Sequence, residues 1–305
     1  MAQNVIEIRG LSRQFGRSLA LSEVNLTLPA GVVYGLVGGN GAGKTTLIRH
    51  LLGLLRAQSG TVRVFGLDPV QQPVAVLSRI GYLSEDRDLP EWMRIDELLA
   101  YTAAFYPSWD ADYARRLVNT FDLDPAKKIK QLSKGMRAQV GLIAAVAHHP
   151  PLLLLDEPST GLDAVVRKDI LNAIVHTAAE GGHTVLFSSH LLDEVELMSD
   201  DILMMDHGRL VLQGTADNLR QQHRVLEVVF EIPREELPAA EHVLSATGCG
   251  RQWTLVCDDQ YRSVQETLVQ AGGQVVNSRV ASLQEIFIAR AGRRSPPRPA
   301  AVQCV

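Results

Sequence analysis

The chain has 305 residues, enough for about two domains and a core that needs no cross-links. Hydrophobic residues make up 46% and charged residues 21%, beside 24 glycines and 14 prolines, which excludes a disordered or collagen-like polymer. Thirty Lys and Arg against 34 Asp and Glu leave a net charge of −4, so no basic field exists to hold a nucleic-acid backbone, and nucleic acid is not expected as a partner.

The opening MAQNVIEIRG lacks a basic, then apolar leader, so no secretory signal is expected. Val5, Ile6 and Ile8, then Val24, Leu26 and Leu28, recur at near period-2 spacing with turn residues between them, which predicts two antiparallel strands. VVYGLV reads as a strand buried on both faces; it runs into a glycine-rich turn and a helix over about Lys44 to Leu52, stopped by Gly53. From 89 to 149 the apolar spacing becomes helical, as in Leu98, Leu99, Tyr101, Thr102 and Phe105, which predicts a helical insert. Leu152 to Leu155 and Thr184 to Phe187 return to buried-strand character, completing a parallel-sheet α/β domain over 1–220. Residues 221–290 alternate strand and helix on a smaller scale, in the order VLEVVFEI, PAAEHVLSAT, WTLVC, YRSVQETLVQAG, QVVNS and SLQEIFIAR, which predicts a small α+β domain. The proline- and arginine-rich stretch 291–305 is expected to be a disordered tail. Cys249, Cys257 and Cys304 form neither a ligand pair nor an even disulfide set, fitting a reducing, cytosolic compartment. The most apolar runs, 140–147 and 152–155, fall far short of the roughly 18 residues of a membrane span, so any membrane role has to come through another chain.

GGNGAGKT, at 38–45, satisfies G-x-x-x-x-G-K-[ST] between a predicted strand and a predicted helix. Its glycines let successive backbone N–H groups curl inward, and the helix presents its positive end to the same anion. Gly38, Gly39, Asn40, Gly41, Ala42, Gly43, Lys44, Thr45 and Thr46 are therefore the candidate phosphate contacts, with Lys44 as a point charge and Thr45 offering a hydroxyl to Mg²⁺. LLLLDEP puts Asp156 and Glu157 at the end of a buried strand. Asp156 is placed to hold the metal through water, and Glu157 to polarise the water that attacks the γ-phosphate, general-base work that contributes about 10²–10⁴-fold.

Three more segments follow in order: LSKGM at 132–136, STGLD at 159–163 and SSHLLDEVE at 188–196. With them the chain resembles the ATP-binding cassette ATPases over residues 4 to about 215. The resemblance implies ATP and Mg²⁺, and a head-to-tail dimer with a second ABC subunit, in which each nucleotide lies between one phosphate loop and the partner's signature segment. Ser133 reads as a helix N-cap whose neighbours Lys134 and Gly135 form a second anion site, completed in trans; a plain cap shares that geometry. The resemblance makes His190 the histidine facing the γ-phosphate, Asp163 the link between the two sites or a helix cap, and Phe15 the ring under adenine or a core phenylalanine. Glu85 stands where relatives carry Gln, as a carboxylate that can still ligate Mg²⁺ while adding negative charge near the phosphates. LSKGM replaces the usual LSGGQ. A transmembrane permease on a separate chain is implied, received at 85–94, with the chain peripheral on the cytoplasmic face of the membrane. YPSWD, LSKGM and SLQEIFIA are most similar to bacterial ABC-2-type exporter ATPases. A non-transport ABC ATPase is the alternative, though the second cassette of translation members and the long coiled coil of repair members are both missing from the sequence.

Overall fold

The computed structural model describes residues 4–291; the proline- and arginine-rich stretch from 292 onward lies outside them. The described chain divides into two compact units between Leu212 and Gln213. The elements of the first unit are β1 (Asn4–Phe15), β2 (Ser18–Pro29), β3 (Val33–Val37), α1 (Lys44–Leu51), β4 (Ser59–Val64), α2 (Pro73–Leu77), β5 (Ile80–Leu83), α3 (Ile95–Ala103), α4 (Ala111–Thr120), a 3₁₀ turn at Ile129–Gln131, α5 (Lys134–Val146), β6 (Leu152–Leu155), α6 (Ala164–Gly181), β7 (Thr184–Ser189), α7 (Leu192–Met198), β8 (Asp201–Asp206) and β9 (Arg209–Gly214).

Two sheets share its core. β1 pairs antiparallel with β2 and β4 in the order β2-β1-β4. The six-stranded sheet runs β5-β6-β7-β3-β8-β9, with parallel pairing from β5 through β8. Strands buried on both faces need no polar alternation, and Leu152–Leu155 accordingly has four buried residues in a row. Ile6, Ile8, Leu26 and Leu28 of the small sheet join Leu36 and Leu154 of the large one and Leu47 and Ile48 of α1 in a single apolar cluster. The helical insert has its own: Ile95 and Leu98 of α3 and Val118 of α4 pack on Val140 and Ile143 of α5. Asp110 caps α4 by accepting the Tyr113 N–H at 2.7 Å.

The second unit holds α8 (Ala216–Gln221), β10 (Arg224–Arg234), β11 (Val243–Cys257), α9 (Tyr261–Gln270), β12 (Gly273–Val280) and α10 (Leu283–Ala291). Its sheet is antiparallel, ordered β11-β10-β12. The expected boundary near 220 would strand α8, which packs on α10 and so belongs to this unit. PAAEHVLSAT forms no helix: it is loop up to His242 and strand from Val243. Leu237, Ala240, Val243 and Ala246 all pack against the cluster of Trp253, Leu255 and Phe230, so burial against distant residues overrides local preference. A straight strand as long as β11 would span about 50 Å, yet the Asp258 N–H past its end meets the His242 carbonyl before its start at 3.1 Å. β11 therefore doubles back, at Gly248 and Gly250, both with positive φ. No helix of the described residues is long and apolar enough to cross a membrane.

Candidate functional site

The order β6-β7-β3 brings three C-terminal strand ends to one place. The glycine loop follows β3, Asp156 and Glu157 follow β6, and β7, lying between them, delivers Ser188, Ser189 and His190.

The loop needs its glycines. Gly41 and Gly43 have φ of 78° and 105°, the left-handed region. A Cβ on Gly38 would stand 2.5 Å from the Met205 carbonyl, and one on Gly43 2.6 Å from the Ala20 carbonyl, so the loop is seated on β8 and β2 with no room to spare. α1 begins at Lys44 with no acidic residue in its first turn, leaving its positive end uncompensated. The Lys44 ammonium, almost fully buried, donates to the Gly38 carbonyl at 2.7 Å and lies 3.1 Å from Glu157 Oε1. Gly39, Asn40 and Gly41 are exposed at the rim, and Thr45 and Thr46 half-buried in the first turn.

Glu157 is held from every side. Its backbone sits at φ 50°, a left-handed conformation that costs a non-glycine residue about 1–3 kcal/mol and must be imposed by its surroundings. The imposing contacts are visible: the Glu157 N–H donates to Ser188 Oγ at 2.9 Å, and that hydroxyl donates in turn to Asp156 Oδ1 at 2.7 Å. Glu157 Oε2 accepts from the Thr160 hydroxyl at 2.7 Å and from His190 Nδ1 at 2.8 Å. A carboxylate only accepts, so Nδ1 carries the proton and Nε2 of the exposed ring is the free nitrogen. Burial pushes the Glu157 carboxyl up, but the bonds from Thr160 and His190 and the Lys44 charge outweigh it, and the net shift is downward. The group is thus a carboxylate at neutral pH.

A second ring of contacts went unassigned in the sequence. Glu194, buried on α7, accepts from Ser159 Oγ at 2.6 Å and Ser189 Oγ at 2.9 Å, with Arg167 Nε at 3.6 Å. It therefore ties together the ends of β6 and β7 and the start of α6. Arg87, 3% exposed, donates from Nη2 to the carbonyls of Pro158 at 3.1 Å and Thr160 at 3.0 Å. Glu194 lies within SSHLLDEVE and could have been flagged there, whereas an arginine inside the charged run SEDRD reads as solvated.

Lys44, Asp156, Glu157 and His190 are brought into one network, with the Gly38 and Gly39 carbonyls on Lys44; Ser133, Asp163, Phe15 and Glu85 stand apart from it. Ser133 caps α5, accepting the Met136 N–H at 3.2 Å, and Asp163 caps α6, accepting those of Val165 and Val166 at 3.0 Å. The two caps are neighbours: a Cβ on Gly135 would touch Val166, and one on Gly161 would collide with the Lys134 ammonium. Ser133 and Lys134 are exposed. Phe15 is 45% exposed with the Arg13 guanidinium 4.7 Å over its ring, so the core-phenylalanine reading fails. Glu85 is exposed past the end of β5 and, among the described residues, shares no hydrogen bond or ion pair with Asp156 or Lys44.

The family model described as ABC transporter matches residues 21–160. The ATP-binding protein YtrB of Bacillus subtilis is 29% identical over 288 residues, spanning 94% of this chain and 98% of its own. The daunorubicin resistance ATP-binding protein DrrA3 of Streptomyces coeruleorubidus is 37% identical over 257 residues, 81% of this chain and 80% of its own. The chain belongs to the ABC transporter family. A solved ATP-binding subunit of an ABC transporter superposes on this cassette with a TM-score of 0.65 at 30% identity, covering 71% of this chain and 92% of that one. The network around Glu157 borders the loop at 38–45 through the Lys44–Glu157 pair.

Proposed function

We propose that this cassette binds and hydrolyses ATP with Mg²⁺ between two copies of itself, and that the cycle drives a separately encoded membrane permease in export. The observation that carries the reading is the Lys44–Glu157 pair, 3.1 Å long and buried, joining the phosphate loop to the carboxylate strand. A triphosphate offers Lys44 several anionic oxygens in exchange for one carboxylate. With Lys44 drawn to the phosphates, Glu157 keeps its bonds to Thr160 and His190 and gains a free oxygen to accept a proton from water. His190 Nε2 faces outward, placed to meet the γ-phosphate.

Thr45 and Asp156 suit Mg²⁺, which takes one or two protein oxygens and fills its octahedron with phosphate and water. Among the described residues no three His, Cys, Asp or Glu side chains form a self-sufficient metal site, the pattern expected where substrate supplies most ligands. When bound, the ion neutralises charge developing on the phosphates. Glu85 is the third candidate ligand. Ser133, Lys134, Gly135 and Asp163 are assigned to the partner's nucleotide: exposed helix N-termini favour an anion, and Asp163 at the head of α6 links the two sites. Phe15 offers its open ring face to adenine. Drug resistance in DrrA3 and the resemblance to ABC-2-type subunits support export.

The test is co-expression with candidate membrane permeases from the same genome. The pair should co-purify and release inorganic phosphate from ATP in a Mg²⁺-dependent manner, and Lys44→Ala should abolish turnover. Phosphate appearing on an acceptor molecule would make the chain a phosphotransferase instead.

A further inference from the structure

Glu194, on α7, is 7% exposed and, among the described residues, shares no hydrogen bond with Lys44, Glu157 or His190. A buried carboxylate is costly unless its oxygens find donors. Oε2 has two, the hydroxyls of Ser159 at 2.6 Å and Ser189 at 2.9 Å. Oε1 has none. It faces Arg167 Nε at 3.6 Å, and that nitrogen, also buried, has no hydrogen-bond acceptor either. The gap is about 0.7 Å longer than a charge-assisted hydrogen bond of about 2.9 Å.

Each of these partners lies beside a residue of the site. Ser189 precedes His190, and its hydroxyl also accepts the Leu191 N–H at 3.0 Å, so the turn is fixed on both sides of the ring that donates to Glu157 at 2.8 Å. Ser159 lies between Glu157 and Thr160, in a turn where the Thr160 N–H returns to the Glu157 carbonyl at 3.2 Å. Arg167 stands one helical turn after Asp163, and its N–H donates to the Asp163 carbonyl at 2.9 Å. A carboxylate that only packed the core would be replaceable by an apolar side chain. This one joins the three segments that carry His190, Glu157 and Asp163.

We infer that Glu194 is a positioning residue for hydrolysis: through Ser189 it sets the His190 ring against Glu157, and through Arg167 it ties that setting to Asp163 at the contact with the second copy. The inference rests on the ATPase reading above and adds a residue to it. A partner seated on Asp163 bears on the first turn of α6, and closing the Glu194–Arg167 gap to bonding length passes that contact to α7, Ser189 and His190. Two effects on Glu157 follow. Without Glu194 the His190 ring is no longer held at bonding distance, so the oxygen that accepts the proton is misplaced for attack. Burial raises the Glu157 carboxyl, and the bonds from Thr160 and His190 with the Lys44 charge bring it net downward, so loosening His190 moves it up. The other charged groups beside Glu157 are Lys44 and, through Ser188, Asp156; among the described residues neither bonds to Glu194.

The experiment measures phosphate release by the full chain across pH, from limiting to saturating Mg·ATP. Glu194→Ala should lower kcat about tenfold or more, leave the KM for ATP within about twofold, and move the acid limb of the kcat profile to higher pH. Glu194→Gln, whose carbonyl can still accept both hydroxyls, should bring the limb back. Added to His190→Ala, Glu194→Ala should change kcat by less than about threefold, because the ring it positions is already gone. Arg167→Met should lower kcat in the natural chain and alter Glu194→Ala by less than about twofold. Melting curves establish that the variants are folded; if Glu194→Ala is not, Ser189→Ala, which frees the His190 turn alone, should give the same upward shift of the limb. A folded Glu194→Ala with natural kcat and an unmoved limb overturns the inference, as does an equal loss of kcat with and without His190, or an unmoved limb in Ser189→Ala. If even the natural chain releases no phosphate, the ATPase reading itself falls.

Discussion

Replacing Glu157 with Gln removes a charge and little else. The side chain keeps its length and its carbonyl oxygen, so the acceptor for Thr160 at 2.7 Å can remain, and the Ser188 bond to the backbone N–H at 2.9 Å does not involve the side chain at all. The left-handed backbone at this position should therefore survive. What is lost is the carboxylate that accepts a proton from water, a contribution of about 10²–10⁴-fold, and the ionic partner of Lys44 at 3.1 Å. Freed from that pair, Lys44 is more available to phosphate, so nucleotide affinity should hold or rise while kcat falls at least about a hundredfold. Phosphate release under saturating Mg·ATP gives kcat, and fluorescent-nucleotide titration gives affinity. A Glu157→Gln protein that keeps kcat within about tenfold of the natural chain would refute the assignment of Glu157 as the base.

Thr160→Val removes a donor that holds the Glu157 carboxyl low, so its folded pKa should rise toward the ordinary carboxylate value. Because a depressed carboxylate stabilises the fold above its unfolded pKa and loses that contribution as pH falls through the folded pKa, the variant should lose stability at neutral pH. The acid limb of its ATPase profile should move to higher pH; an unmoved limb in a folded protein would contradict the bond's role. Asp163→Ala strips the cap from two N–H groups of α6 and should cost about 1 kcal/mol in chemical denaturation. Gly38→Ala would drive a methyl to within 2.5 Å of the Met205 carbonyl, so the loop must shift; calorimetry should show ATP binding lost from a protein whose circular dichroism is unchanged.

The strand, glycine loop and helix around Lys44 were legible because all three are local: apolar run, positive-φ turn and helix start lie within about twenty residues of sequence. The strand order was not. Nothing in LLLLDEP says that β7 lies between it and β3, yet that order is why Ser188 and His190, rather than the loop alone, set the geometry of Glu157. Arg87 was invisible for a related reason, since burial of a charged residue in a polar run is decided by carbonyls more than 70 residues away. PAAEHVLSAT misled because its helical spacing was outcompeted by the Trp253 cluster. Ser133 and Asp163 were readable as caps, since capping depends on the next three residues, but a cap looks the same whether or not it also meets a partner's nucleotide.

The central claim is that two copies of this chain enclose ATP between the phosphate loop of one and the Ser133 helix of the other. Light scattering on Glu157→Gln with ATP measures it most directly. The account predicts twice the monomer mass with ATP, the monomer mass without it, and the monomer mass again when Ser133→Arg is added to the same protein. A single-chain mass at saturating ATP, or a dimer indifferent to both ATP and Ser133→Arg, would contradict it.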